Sequence, residues 1–229
     1  ANDLAIQQPE RLRALVDLWW AEAGANGVLP LDDRRGGELF KTAQFRGNTA
    51  RRNRFVYYPP VSRYSADVAP PTGNRSFSIV ADFTLTGKNG VILARGNANG
   101  GYVLFVKDGC LVFDYNFFHS HTQVRSSRPL PPGACRAGVR VERAGKGGTA
   151  TLMLDDEDCG SVAIAEMAVM VSAIGMDIGR SIAPVCQDYE APAAFDGVLR
   201  SVSVEVAASR PPEIKREALL AERVTQGLQ

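Results

Sequence analysis

The sequence predicts a mainly β fold, an antiparallel two-sheet sandwich with an N-terminal helix and a short C-terminal helix. Three observations carry this. Short β-prone runs recur between Ser76 and Val206, separated by Gly, Pro and Asp turns. Residues 76–86 alternate strictly, with Phe77, Ile79, Ala81, Phe83 and Leu85 on one side and Ser78, Asp82 and Thr84 on the other. Two apolar runs, Tyr102–Val106 and Cys110–Phe117, flank Lys107-Asp108-Gly109, and Asp-Gly is a strong hairpin signal because its turn needs positive φ.

The elements follow in order. Residues 2–24 read as a helix: Leu12, Leu15, Val16 and Trp19 recur at helical spacing, and Trp20 and Ala23 widen the apolar stripe. Pro9 and Glu10 suit its first turn, and Gly24 suits its end. From Gly27 to Asn74 no periodicity survives, yet Phe40, Phe45, Phe55, Tyr57, Tyr58 and Tyr64 are too many aromatics for a free linker. The segment is expected to drape over a partner surface. Strands then follow at 76–86, Gly90–Ala94, Tyr102–Val106, Cys110–Phe117, Thr122–Ser126, Cys135–Arg143, Thr149–Asp155, Cys159–Ile164, Gly175–Gly179 and Val198–Val206. In the central hairpin neither face is cleanly polar, so both strands belong mid-sheet, as scaffold. Residues 212–226 have the pattern of a short amphipathic helix. The domain reading is therefore a helix over 1–26, a connection over 27–74, a sandwich over 75–207 and a tail over 208–229.

Composition excludes several functions. A net charge of +1 over 229 residues offers no strong pull on nucleic acid or an anionic membrane. No apolar run reaches the roughly 20 residues that cross a bilayer, and no basic-then-apolar leader stands at the start. The chain begins at Ala1, which reads as a processed or trimmed product. Cys110, Cys135, Cys159 and Cys186 are widely spread and form no C-x-x-C pair, so they read as buried thiols rather than metal ligands.

The search for chemistry is mostly negative. There is no G-x-S-x-G elbow, P-loop or dinucleotide loop, and Gly145-Lys146-Gly147-Gly148 reads as a hairpin turn. His119 and His121 are the only histidines; at i and i+2 on a strand they share a face, without an evident third ligand. Asp177 and the Asp188-Tyr189-Glu190 run offer carboxylates for calcium or acid–base work, but rim carboxylates are commonly turn-formers.

One resemblance spans most of the chain. The opening Ala1-Asn2-Asp3-Leu4-Ala5, Leu18-Trp19-Trp20-Ala21-Glu22-Ala23 and especially Val28-Leu29-Pro30-Leu31-Asp32-Asp33-Arg34 carry it. Tyr57-Tyr58-Pro59, Asn74-Arg75-Ser76, Tyr115-Asn116-Phe117-Phe118, Asp177-Ile178-Gly179-Arg180 and Phe195-Asp196-Gly197 follow in order. In this order they resemble the C-terminal region of bacterial arylsulfatases. The resemblance implies a concanavalin-like jelly roll downstream of a core that hydrolyses sulfate esters with formylglycine and calcium. Neither the formylglycine motif nor the metal aspartates occur here, so no cofactor is expected in this chain and no catalytic residue carries over. His119-Ser120-His121 and Asp156-Glu157-Asp158 depart from the family pattern.

Two readings follow from this. In the first, the chain is a non-catalytic docking module of a bacterial, soluble arylsulfatase-like protein, its partner the sulfatase catalytic domain. Trp19, Trp20, Arg34, Tyr57 and Tyr58 are the candidate docking surface. In the alternative, the sandwich is a lectin-like module that binds carbohydrate through Tyr102, Asn116, His119, His121 and Arg125, the arginine suiting a sulfated sugar. The missing motifs argue against an independent hydrolase.

Overall fold

The computed structural model describes residues 3–25, 52–66, 68–73, 75–168 and 175–208. The chain opens with a helix, α1 (Pro9–Ala25), preceded by a turn in which Asp3 Oδ1 accepts the Ala5 N–H at 2.9 Å. The helix starts later than the pattern from residue 2 suggested, at the proline whose fixed φ suits a first turn.

Two six-stranded antiparallel sheets form the sandwich. Across the first run β1 (Arg54–Tyr57), β14 (Gly197–Val206), β3 (Phe77–Leu85), β8 (Gly133–Ala144), β9 (Gly147–Leu154) and β10 (Glu157–Ile164). Across the second run β2 (Val61–Tyr64), β11 (Met176–Ile178), β4 (Gly90–Asn97), β5 (Gly100–Lys107), β6 (Cys110–Phe117) and β7 (Ser120–Arg125). A two-stranded ribbon pairs β12 (Arg180–Ser181) with β13 (Ala193–Ala194). The fold is thus the jelly-roll-like sandwich the sequence predicts. The predicted C-terminal helix over 212–226 and the Val28–Arg34 motif lie outside the described residues.

The alternation read in β3 holds residue by residue: Phe77, Ile79, Ala81 and Phe83 are buried and their neighbours partly exposed. They meet Leu93, Leu104, Phe113 and Leu152 in one core between the sheets. Fully burying each such side chain contributes about 1.5–3 kcal/mol, so this shared core holds the two sheets face to face.

Besides the short β12 and β13, two strands of the six-stranded sheets were invisible in the sequence. β1 and β2 lie in the stretch that shows no periodicity, four residues each on either side of Tyr58-Pro59-Pro60. β1 pairs with β14 in the first sheet and β2 with β11 in the second, so the chain crosses between sheets here. The sandwich therefore takes in residues upstream of the boundary expected at residue 75. Four residues are too short to establish a period of two.

The outer face of the second sheet is covered as well. Val91, Ala94, Val103, Phe105 and Val112 form a second apolar cluster with Val185 and Cys186, from the segment between β12 and β13. This strap explains why β4, β5 and β6 are buried on both faces. All four cysteines are free thiols.

Candidate functional site

The strap leaves one portion of the outer face open, where β6 meets the edge strand β7. Register places Val112 beside Arg125, Asp114 beside Gln123 and Asn116 beside His121. Cross-strand partners share a face, so His121, Gln123 and Arg125 all project outward next to the strap, and all three are exposed. Four residues of strand separate the ends of this row, roughly 14 Å.

A connected polar network anchors the row. Asp114 is buried, with 1% of its surface exposed. Its Oδ1 accepts from His121 Nδ1 at 2.8 Å and its Oδ2 from Gln123 Nε2 at 3.4 Å. The same Gln123 amide donates to Asp188 Oδ2 at 2.5 Å, and Lys107 Nζ donates to Asp188 Oδ1 at 2.5 Å. Burial pushes the Asp114 carboxyl above the usual carboxylate range, against the pull of His121 and Gln123. Asp188 is held below that range, first by the hydrogen bond from Lys107 and then by that from Gln123. In the neutral His121 ring with Asp114 ionised, the proton sits on Nδ1 and Nε2 is the acceptor.

The residues singled out from the sequence divide sharply. His121 and Arg125 lie on this open row. Asn116 lies beside it as a structural brace: its Nδ2 donates to the carbonyls of Ala98 at 2.8 Å and Val185 at 3.0 Å, and its Oδ1 accepts from the His119 N–H at 2.8 Å. His119 is exposed in the β6–β7 turn, where Phe118 and His119 both adopt positive φ, 46° and 71°. It does not share the strand face expected for it with His121.

Tyr102 points the other way, which corrects its assignment to a ligand surface. It is fully buried between the sheets, and its hydroxyl is 3.0 Å from Thr72 Oγ1. A cross-strand row on the inner face runs Tyr64, Met176, Arg95, Tyr102 and Tyr115. Within it Arg95 donates to the Pro70 carbonyl and to Thr72 Oγ1. Burial lifts the Tyr115 hydroxyl to about 12 and Tyr57 beyond its usual range.

Among the candidate docking residues, Trp19 and Trp20 are 46% and 50% exposed, and Tyr58 is exposed too. Tyr57 is instead buried in the core, because alternation in β1 turns Phe55 and Tyr57 inward. Arg34 lies outside the described residues.

Sequence reasoning missed Lys107, Asp114 and Gln123, and offered Asp188 only as a rim carboxylate for calcium or acid–base work. The alternation already placed Asp114 opposite the apolar face of its strand. Asp188, however, is distant in sequence from its partners, and only the strap brings it over. Asp177 is occupied structurally, its oxygens accepting the backbone N–H of Arg63 at 2.8 Å and of Ile182 at 2.9 Å. Among the described residues no group of three His, Cys, Asp or Glu is placed to hold a metal ion. Burial raises the Cys186 thiol to about 12, so beside this network it stays protonated and is a poor nucleophile.

No family model matches the chain, and no curated protein sequence matches it. Solved structures do. CBM40 of the Ruminococcus gnavus IT-sialidase bound to alpha2,3 sialyllactose superposes with a TM-score of 0.51 at 13% identity, over 72% of this chain and 97% of that one. The same CBM40 bound to alpha2,6 sialyllactose gives 0.50 at 14% identity, over 71% and 97%. Mouse laminin alpha1 chain domains LG4-5 give 0.46 at 20% identity, over 66% of this chain and 41% of that one. At these identities the CBM40 likeness shows the fold alone, a jelly-roll-like β-sandwich. Among the described residues no helix is long and apolar enough to cross a membrane.

Proposed function

We propose that this sandwich is a lectin-like carbohydrate-binding module whose ligand lies along β7. The observation that carries the reading is the exposed row His121, Gln123 and Arg125, two of its members fixed from behind by buried Asp114 and half-buried Asp188. A sugar presents hydroxyls that both donate and accept. A site for it needs polar groups held in place, so that little side-chain entropy is lost on binding. Here the Nε2 of His121 and the Oε1 of Gln123 remain available to hydroxyl donors, while Arg125 supplies donors. The exposed ring of Phe118 at the adjoining turn offers an apolar surface for a sugar ring face. The CBM40 neighbours that hold sialyllactose share the fold, which supports a sugar-binding role on this scaffold.

Isotope-edited NMR titration with sialyllactose and lactose tests it. Shifts confined to β6, β7 and the strap are expected, and His121→Ala should weaken binding about tenfold, the worth of one site hydrogen bond. Shifts centred elsewhere, or none, would overturn the proposal.

A second reading is favoured by α1. The exposed stripe Leu12, Leu15, Val16, Trp19 and Trp20 is large for a helix that serves only itself. It fits a covering module docked on an arylsulfatase-like catalytic core, the context that the sequence resemblance implies. An antibody raised to this chain distinguishes the cases in the source organism. A band several times heavier than 24.7 kDa supports the covering role, and a band at that mass removes its basis.

A further inference from the structure

One cation of the open row, Arg125, is hydrogen-bonded by none of the row's acceptors. Both oxygens of Asp114 are taken, by His121 and Gln123, and both of Asp188, by Lys107 and Gln123. Each carboxylate thus has its companion: Asp188 is paired with Lys107, and Asp114 with His121. Arg125 stands at the far end of the row, exposed, with a guanidinium that has no hydrogen-bond partner among the described residues. Its charge helps hold the nearby Asp188 carboxyl ionised, but no hydrogen bond joins the two. Arg125 therefore keeps a permanent charge and a planar fork of N–H donors facing solvent.

Such a fork matches a planar or tetrahedral oxyanion through two parallel, charge-assisted N–H···O bonds, which a single neutral hydroxyl does not provide. The other end of the row has the opposite character. His121 there is already committed through Nδ1 to a buried carboxylate and offers an acceptor outward. The row is polar in direction: oxyanion at the Arg125 end, hydroxyl donors at the His121 end.

We propose that the module recognises acidic sugars, Arg125 binding a carboxylate or sulfate ester on one residue while Gln123 and His121 take hydroxyls of the next. This rests on the sugar-binding reading and narrows it to a ligand class. Either oxyanion satisfies the fork, so the test separates the two sources.

Isothermal titration of the whole chain with sialyllactose, a sulfated lactose and lactose provides that test. At least one acidic sugar is expected to bind tenfold or more tightly than lactose, with an advantage that shrinks as salt is raised. Tight binding of only sialyllactose identifies a carboxylate as the ligand, and of only the sulfated sugar, a sulfate. Arg125→Gln is expected to bring the acidic sugar down to the affinity of lactose without moving the unfolding midpoint, since the side chain is exposed. Equal affinities for all three would overturn the inference and leave the sugar-binding reading standing. An acidic preference that survives Arg125→Gln would also overturn it. Absence of binding by all three would remove both.

Discussion

Asp114 sits at the back of the row with its carboxyl raised above the ordinary aspartate range, burial outweighing the hydrogen bonds from His121 and Gln123. A raised folded value means that the native state binds the proton more tightly than the unfolded chain. The associated stability is complete below the ordinary aspartate value and is lost as pH rises through the raised one. Asp114→Asn keeps the shape and a carbonyl acceptor but cannot ionise. In urea denaturation from about pH 3 to pH 7, the variant should gain on the natural protein as pH rises through the acid range. Two curves that stay parallel would show that burial of the carboxylate carries no penalty. Asp188 has the opposite slope: its lowered value gives a contribution present above the ordinary range and lost as pH falls. Lys107 and Asp188 are both about a third exposed, so solvent screens that contribution.

At the level of elements, the two hairpins that share β6 use different residues for the same turn. Asp108-Gly109 adopts φ of 51° and 73°, with a glycine where the second positive value falls. Phe118-His119 adopts 46° and 71° with no glycine at all. Left-handed φ costs an ordinary L-residue roughly 1–2 kcal/mol, so His119→Gly should stabilise the fold by about 1 kcal/mol, read as a higher midpoint in thermal unfolding. An unchanged or lower midpoint would mean that the histidine side chain offsets the strain. Gly138 in β8 answers to a different constraint. A Cβ there would lie 2.1 Å from the Ile79 carbonyl oxygen, in the neighbouring strand β3. Gly138→Ala must force β3 and β8 away from each other and should destabilise by about 1–3 kcal/mol in chemical denaturation, where a neutral result would show that the pairing yields easily.

Among the described residues, the apolar cluster between the sheets and the second cluster beneath the strap account for the buried core, and no described side chain of α1 belongs to either. Trp19 and Trp20 stack edge to face at 4.9 Å and remain half exposed. Replacing both with Ala should therefore shift the sandwich's stability by less than about 0.5 kcal/mol, as surface changes do. A large loss on heating would show that the helix packs against the sandwich in solution. The same pair should matter strongly for docking if an arylsulfatase-like core covers α1.

Strict alternation in β3 and the Asp-Gly turn between β5 and β6 made the sandwich legible from sequence, because period and turn chemistry are local properties. The alternation of Leu111, Phe113 and Tyr115 with Val112, Asp114 and Asn116 even separated the two faces of β6. It could not say which face was core, so Tyr102 and His121, equally plausible as ligand residues, ended on opposite sides of the same sheet. β1 and β2 escaped because each takes its pairing from a strand more than a hundred residues away. The candidate site escaped for the same reason. Lys107 and Asp188 meet only when the strap lies over β5, and among the described residues Arg125 has no hydrogen-bond acceptor while both carboxylates engage other donors. Local pattern determined the strands and their turns; long-range pairing decided which polar groups were satisfied inside the fold and which were left facing a ligand.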